Sequence, residues 1–367
     1  MTLSVVELLR DLIRIPSVNP DGVAGTTEVG EKKCAEYLHR FLTDLGASAE
    51  YREVLPDRPN VIARFPADRP GKPRLLLAPH TDTVSVAGMT IDPFAAEVRD
   101  GKVWGRGASD TKGPMAAILF ALHQCREILP RLSHEIWFAG LMSEEAGQFG
   151  SAALASQEVF DLVIVGEPTE LQTVYTHKGA VNLTLRTRGR AAHSSTPQDG
   201  DNAIEKMLDV LSFFREKAAT DFVSHRDTIL GAPTLNIGII NGGSKVNIVP
   251  DACEAHLNIR TVPDQDVQPL LDALSHQFPK LEIEAVKADS LWTDPSHPLI
   301  QILETCGANP VGAPWFCDGA LFAAAGMSAV ALGPGSIAQA HTADEWISIV
   351  DLENGANFFQ QFLSRLQ

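Results

Sequence analysis

The stretch Arg74-Leu75-Leu76-Leu77-Ala78-Pro79-His80-Thr81-Asp82 decides the fold. Three leucines and an alanine in unbroken succession predict a strand buried on both faces, as in a parallel sheet. Pro79 cannot donate to a ladder and ends it. His80 and Asp82 follow at the carboxyl end of that strand, the edge where open α/β sheets bind their ligands. A carboxylate beside an imidazole can orient the ring and raise its basicity, which a metal-bound histidine needs. One His-x-Asp pair alone is more often an ordinary surface loop. Its weight comes from recurrence along the chain.

Outward from this stretch, strand, loop and helix alternate. His134–Leu141 and Asp161–Val165 read as further buried strands, running into Met142-Ser143-Glu144-Glu145 and Gly166-Glu167-Pro168. The loop Gly105-Arg106-Gly107-Ala108-Ser109-Asp110-Thr111-Lys112-Gly113 leads into an apolar helix over Pro114–Leu129, with proline at its start where the missing N–H costs nothing. Amphipathic helices are predicted over Ser4–Ile15 and Glu31–Leu45, and a strand over Asn60–Phe65. Fully apolar strands alternating with helices predict a three-layer, mostly parallel α/β domain.

The texture changes near Lys178. Val181–Thr187 and Ala255–Arg260 alternate apolar and polar, as strands with one wet face do. With helices over Asn202–Lys217 and Gln265–Phe278 and a closing strand over Leu281–Val286, they predict two helices against an antiparallel sheet. After Asp289 the parallel-sheet texture returns, with a strand at Ser328–Leu332 and a last helix over Leu352–Leu366. The expected organisation is a discontinuous catalytic domain over 1–177 and 289–367 with an α+β domain nested at 178–288.

Composition narrows the function. At 367 residues the chain exceeds a single typical core. Its longest apolar run, Met115–Leu122, is too short to span a bilayer. Glu7, Arg10 and Asp11 interrupt any signal-peptide core near the N-terminus. The five cysteines are scattered, odd in number and without Cys-x-x-Cys spacing, which argues against a disulfide framework or a thiolate zinc site. A cytoplasmic protein is the expectation. A net charge of −16 disfavours nucleic acid or an anionic membrane as partner, and a carboxylate-rich site in such a chain needs a cation.

Four apolar strands lead into ligand-type residues: His80 with Asp82, Glu144 with Glu145, Glu167, and His341 beyond a glycine turn. Asp110 sits at the matching loop-to-helix junction. Oxygen and imidazole donors without thiolate suit a hydrolytic zinc, cobalt or manganese centre. Two imidazoles and three carboxylates are too many for one open zinc and suit two ions about 3.5–4 Å apart sharing a bridging carboxylate. A two-metal phosphoesterase could use similar ligands, although the acidity and the lack of a basic cluster speak against it. A metal-binding relative without catalysis is a further alternative.

Taken together, His80-Thr81-Asp82, Gly105-Arg106-Gly107 with Asp110 and Lys112-Gly113, Ser143-Glu144-Glu145, Gly166-Glu167-Pro168, Gly189-Arg190-Ala191-Ala192-His193-Ser194 and Gly242-Gly243 with Asn247 and Pro250 carry a family likeness. The chain resembles the dizinc amidohydrolases that include acetylornithine deacetylase, succinyl-diaminopimelate desuccinylase, aminoacylases and carboxypeptidase G. The resemblance implies two divalent metal ions, zinc first and cobalt or manganese otherwise. His80 and Glu167 would hold one, Glu145 and His341 the other, and Asp110 would bridge them, with a cis peptide bond after it. Asp82 would orient His80. Glu144 would be the general base that takes a proton from the metal-bridging water and passes it to the leaving amine.

By the same resemblance His193 would stabilise the tetrahedral oxyanion, in several members from the partner subunit. Arg260 would grip the substrate carboxylate, Asn247 would contact substrate, and the nested domain would serve as lid and homodimer interface. The run Gly333-Pro334-Gly335-Ser336-Ile337-Ala338-Gln339-Ala340-His341 with Asp344-Glu345 is most similar to the acetylornithine deacetylase branch, which implies an N-acyl-L-amino acid substrate and a place in arginine synthesis. A desuccinylase, a broad aminoacylase, or a small dipeptidase or carboxypeptidase with the same centre remains the alternative. Two features depart from the pattern: Thr111 stands where many relatives carry methionine, and Trp315-Phe316-Cys317-Asp318 points to no one substrate.

Overall fold

The structure is a computed structural model that describes residues 3–222 and 224–367. The chain divides into two compact units. The larger comprises the residues up to Tyr175, Trp292–Val311 and Cys317–Gln367. The smaller comprises Thr176–Leu291 and Gly312–Phe316. The second of these segments lies within the stretch expected to belong wholly to the larger domain.

The large sheet runs Ser48–Leu55, Arg58–Arg64, Glu135–Gly140, Arg74–Ala78, Leu162–Val165, Ser328–Ala331, Thr173–His177, Leu291–Trp292 in spatial order, with Pro310–Ala313 also paired to Thr173–His177. Its centre is parallel: Arg74–Ala78 lies between Glu135–Gly140 and Leu162–Val165, and Ser328–Ala331 extends the same direction. Antiparallel strands flank that centre on both sides. The leucine run explains the layering, because successive side chains of a strand point to opposite faces. Leu75 and Leu77 join a core with helices Val5–Ile13, Lys32–Asp44, Lys112–Cys125 and Ile349–Ser364. Leu76 is equally buried and points to the other face. The expected three-layer α/β architecture is the one present.

The differences from the sequence reading are local. The helix expected from Pro114 begins at Lys112, so the proline occupies the first turn, where no intrahelical N–H is required. The strands Ser48–Leu55, Thr173–His177 and Pro310–Ala313 and the helix Phe149–Gln157 carry no long apolar run and escaped the pattern.

The smaller unit has a four-stranded antiparallel sheet in the order Thr234–Gly242, Ala252–Thr261, Gly179–Arg188, Glu282–Ala288. Its alternation sorts the faces. Val181, Leu183, Leu185, Cys253, Ala255, Leu257 and Ile259 are buried with helices Ala203–Lys217 and Gln268–Gln277. Arg186, Glu254, His256 and Arg260 take the opposite parity and line the wet face. Asn202 starts the first of these helices by accepting the N–H groups of Ile204 and Glu205. Among the described residues no helix is long and apolar enough to cross a membrane.

Candidate metal centre

The carboxyl ends of the parallel strands assemble the site. His80 follows Arg74–Ala78, Glu144 and Glu145 follow Glu135–Gly140, Glu167 follows Leu162–Val165, and His341 lies beyond Ser328–Ala331. Asp110 comes from the loop ahead of helix Lys112–Cys125, and its peptide bond to Thr111 is cis. Two residues of this edge, Ser143 and His341, hold left-handed backbone with φ near 68° and 63°. Non-glycine residues take that conformation only where their surroundings impose it.

Asp110 stands at the centre. Its Oδ1 faces His80 Nε2 at 3.1 Å, and its Oδ2 faces His341 Nε2 at 3.3 Å. Glu145 Oε2 lies 3.1 Å from the same His341 nitrogen. Ligand atoms of His80, Asp110 and Glu167 lie within 4.8 Å of one another, and so do those of Asp110, Glu145 and His341. One carboxylate therefore belongs to two ligand sets and turns a different oxygen to each, as a bridge between two ions does. Glu144 joins His80 and Glu145 in a third such group.

These residues fit a pair of cations. The site concentrates carboxylates against two imidazoles, and Glu145 Oε1 is buried without a hydrogen-bond partner. Burial and the neighbouring Glu167 push the Glu144 carboxyl well above its ordinary range. Burial and Asp110 do the same to Glu167. Hydrogen bonds to Asp110 and Glu145 push His341 up to about 10. For Asp110, burial alone would raise the pKa, but the two imidazoles outweigh it and hold it low. Divalent cations in place of these protons would satisfy the same carboxylates. The His80 side is closed, with the side chain 1% exposed, whereas His341 is 54% exposed. Access is from the His341 side.

Supporting contacts fix the ligands. His80 Nδ1 donates to the backbone carbonyl of Asp82 at 3.0 Å, which leaves the Nε2 lone pair for a metal. The Asp82 carboxylate is farther from that nitrogen, at 3.5 Å. Its oxygens also accept from the backbone N–H of Glu144 and of Glu145 and from Asn19 Nδ2. Thr111 donates its hydroxyl to the carbonyl of Gly166, next to Glu167, a tie that methionine could not make. Sequence reasoning assigned no role to two buried carboxylates here, Asp318 and Glu345. Asp318 Oδ1 accepts from Ser151 at 2.8 Å and Gln148 at 3.0 Å, which anchors the far end of the loop carrying Glu144. Their signal was faint in the sequence: Asp318 stood in a motif that points to no one substrate, and Glu345 only beside Asp344 in the run that carries the branch likeness.

His193, Asn247 and Arg260 belong to the smaller unit. The segments carrying two of them pair: His193 bridges Ile248, and Ser194 N–H donates to the Asn247 carbonyl at 3.0 Å. Ser195 N–H donates to His193 Nδ1 at 3.2 Å, so a neutral ring carries its proton on Nε2. That leaves an exposed donor. Arg260 lies near the end of strand Ala252–Thr261 opposite Ala180, partly exposed.

Residues 76–365 match the peptidase family M20/M25/M40. An acetylornithine deacetylase of Proteus mirabilis is 33% identical over 95% of this chain and 93% of its own. Similar solved structures include a family M20 metallo-carboxypeptidase of Sulfolobus solfataricus, with TM-score 0.79 and 21% identity over 100% of this chain and 99% of that one. A dinuclear metal-binding peptidase of the same family from Bacillus subtilis gives TM-score 0.68 at 14% identity, over 98% and 96%. With its ligand-type residues gathered at the carboxyl edge of that shared fold, the chain belongs to the M20 family of metallopeptidases and deacetylases.

Proposed function

We propose that this protein hydrolyses the amide bond of an N-acyl-L-amino acid, as an acetylornithine deacetylase does, at a dinuclear metal centre. One observation carries the reading: Asp110 offers one oxygen to the His80 set and the other to the His341 set, with Glu144 alongside. His80 and Glu167 would hold one ion, Glu145 and His341 the other, and Asp110 both. Zinc suits this donor set, and cobalt or manganese would serve. When bound, such ions polarise the acyl carbonyl and lower the pKa of water.

The chain's own residues supply the rest. Glu144 takes the proton of the attacking water at its carboxylate and delivers it to the leaving nitrogen. Its backbone is held by Asp82, so the carboxylate starts each turnover in one place. His193 directs its Nε2–H to the oxyanion, a donor of a kind typically worth about 2.7–4 kcal/mol of barrier. Arg260 pairs with the substrate carboxylate through a planar fork suited to it, and Asn247 contacts the substrate beside His193. The smaller unit acts as lid and joins two copies of the chain into a homodimer through its edge strand Thr234–Gly242, where Ile239 and Ile240 are exposed.

The identity with the acetylornithine deacetylase supports the acyl-amino-acid class, and with that reading we propose a cytoplasmic setting and a place in arginine synthesis. Release of free amine by zinc- or cobalt-loaded protein tests it across N-acetylornithine, other N-acetyl amino acids, N-succinyl-diaminopimelate and dipeptides. A strong preference for N-acetylornithine is expected. A flat profile would mean a scavenging aminoacylase, preference for another substrate the corresponding alternative, and silence with two metals bound a non-catalytic relative.

A further inference from the structure

The loop that presents Asp110 points several backbone N–H groups into one space. Such a concavity is ordinarily a binding site for an anion. Here the space is filled by the chain's own Glu345, which is fully buried. Its Oε1 accepts from Ser109 N–H at 2.8 Å and Asp110 N–H at 3.0 Å. Its Oε2 accepts from Gly107 N–H at 2.9 Å and from Arg106 Nη1 at 2.8 Å. The backbone adds a fifth tie, Gly105 N–H to the Glu345 carbonyl at 3.0 Å. Each carboxylate oxygen is engaged twice, and the charge is matched by Arg106. The glycine-rich run is thus an anion cradle occupied from within.

Glu345 stands four residues beyond His341, in the same loop. Ahead of His341 that loop is tied a second time, where Ser109 Oγ donates to the Ser336 carbonyl at 3.2 Å and accepts its N–H at 3.3 Å. The His341 segment is therefore laced to the Asp110 loop on both sides. His341 itself is half exposed, and its ring meets Asp110 and Glu145 through Nε2, so its place depends on how this segment is held.

We propose that Glu345 is a positioning residue for the metal centre: by occupying the Gly107–Asp110 cradle it sets Asp110 and His341 at the spacing that the second ion requires. The inference rests on the ligand assignment proposed above and adds to it the group that couples two of those ligands. Loss of the carboxylate should weaken the ion held by Asp110, Glu145 and His341 more than the one held through His80 and Glu167. The supporting contacts of metal ligands are typically worth about 10–100-fold in affinity.

The test measures metal binding and not turnover. Zinc titration by chelator competition on wild type, Glu345→Ala and Glu345→Gln gives two affinities per chain, and thermal melting is recorded beside it. In Glu345→Ala one of the two ions is expected to bind about 10–100-fold more weakly. Added formate, which can enter the vacated cradle, should recover part of that loss in the variant and none in wild type. Glu345→Gln keeps the shape but sets an NH2 against N–H donors, and should show the same selective loss at smaller size. It remains decisive if the alanine variant does not fold. Native affinities for both ions in either folded variant, with only the melting temperature lowered, would overturn the proposal. A wild-type protein that takes up no second ion would instead remove the ligand assignment itself.

Discussion

The Asp82 carboxylate accepts the backbone N–H of Glu144 at 3.0 Å, and its other oxygen accepts that of Glu145 at the same distance. A residue of the first strand-end loop thus holds the backbone of the proposed base and of a proposed ligand on the next. Asp82→Asn keeps the shape but loses one acceptor, leaving a part-buried N–H unpaired at a cost of about 1 kcal/mol, the low end for a buried group. Zinc affinity and kcat are both expected to fall about 10–100-fold. His80 keeps its Nδ1 contact to the Asp82 backbone carbonyl, while its 3.5 Å pairing with the carboxylate is weakened. Chelator competition and steady-state kinetics on the same preparation check this, and unchanged values for both would refute it.

Glu144 is the residue whose removal should separate metal from chemistry. Glu144→Ala is expected to keep both ions and to lower kcat by at least about a hundredfold, the scale of general-base loss. Metal content by elemental analysis beside turnover decides it. Turnover near wild type would take Glu144 out of the role.

Metal affinity should rise with pH. His341 is held at about 10 in the metal-free protein against an ordinary value near 6.5, so at neutral pH it carries a proton that a metal must displace. Glu167 and Glu145, pushed up by burial, add protons as pH falls. Binding should therefore release protons and weaken steadily from pH 8 to about pH 6. Calorimetry in two buffers of different ionisation enthalpy reads the proton count. A flat affinity without proton release would contradict it.

The edge strand Thr234–Gly242 presents Ile239 and Ile240, 53% and 47% exposed, beside unpaired backbone groups. An exposed apolar edge invites pairing, and lysine is the residue that discourages it. Ile240→Lys is expected to shift the proposed homodimer to monomer in light scattering at working concentration. A wild-type monomer would sink the dimer reading before any variant is made.

Arg260→Lys should raise KM while changing kcat little, because lysine keeps the charge but not the planar fork that grips a carboxylate. An equal fall in kcat and kcat/KM would place Arg260 with the transition state instead.

Much of this protein was legible in order along the chain. Leu75–Leu77 announce a strand buried on both faces, and Val181–Thr187 one with a wet face, because side-chain periodicity records burial directly. The donors His80, Glu144, Glu145, Glu167 and His341 declare themselves by following apolar strands, and the recurrence of that arrangement made the metal reading. Other features needed the folded chain. Ser48–Leu55 is a strand because Arg58–Arg64 pairs with it, a stabilisation that leaves little mark in its own pattern. That Asp82 turns its carboxylate to the Glu144 loop, that Asp110 splits its oxygens between two histidines, and that Glu345 fills the cradle beneath Asp110 were decided by tertiary structure alone. These are hydrogen bonds between residues far apart in sequence, and such contacts have no period to read. The amino-acid order determines which groups stand at the sheet edge; the packing of loops over that edge decides which atoms meet.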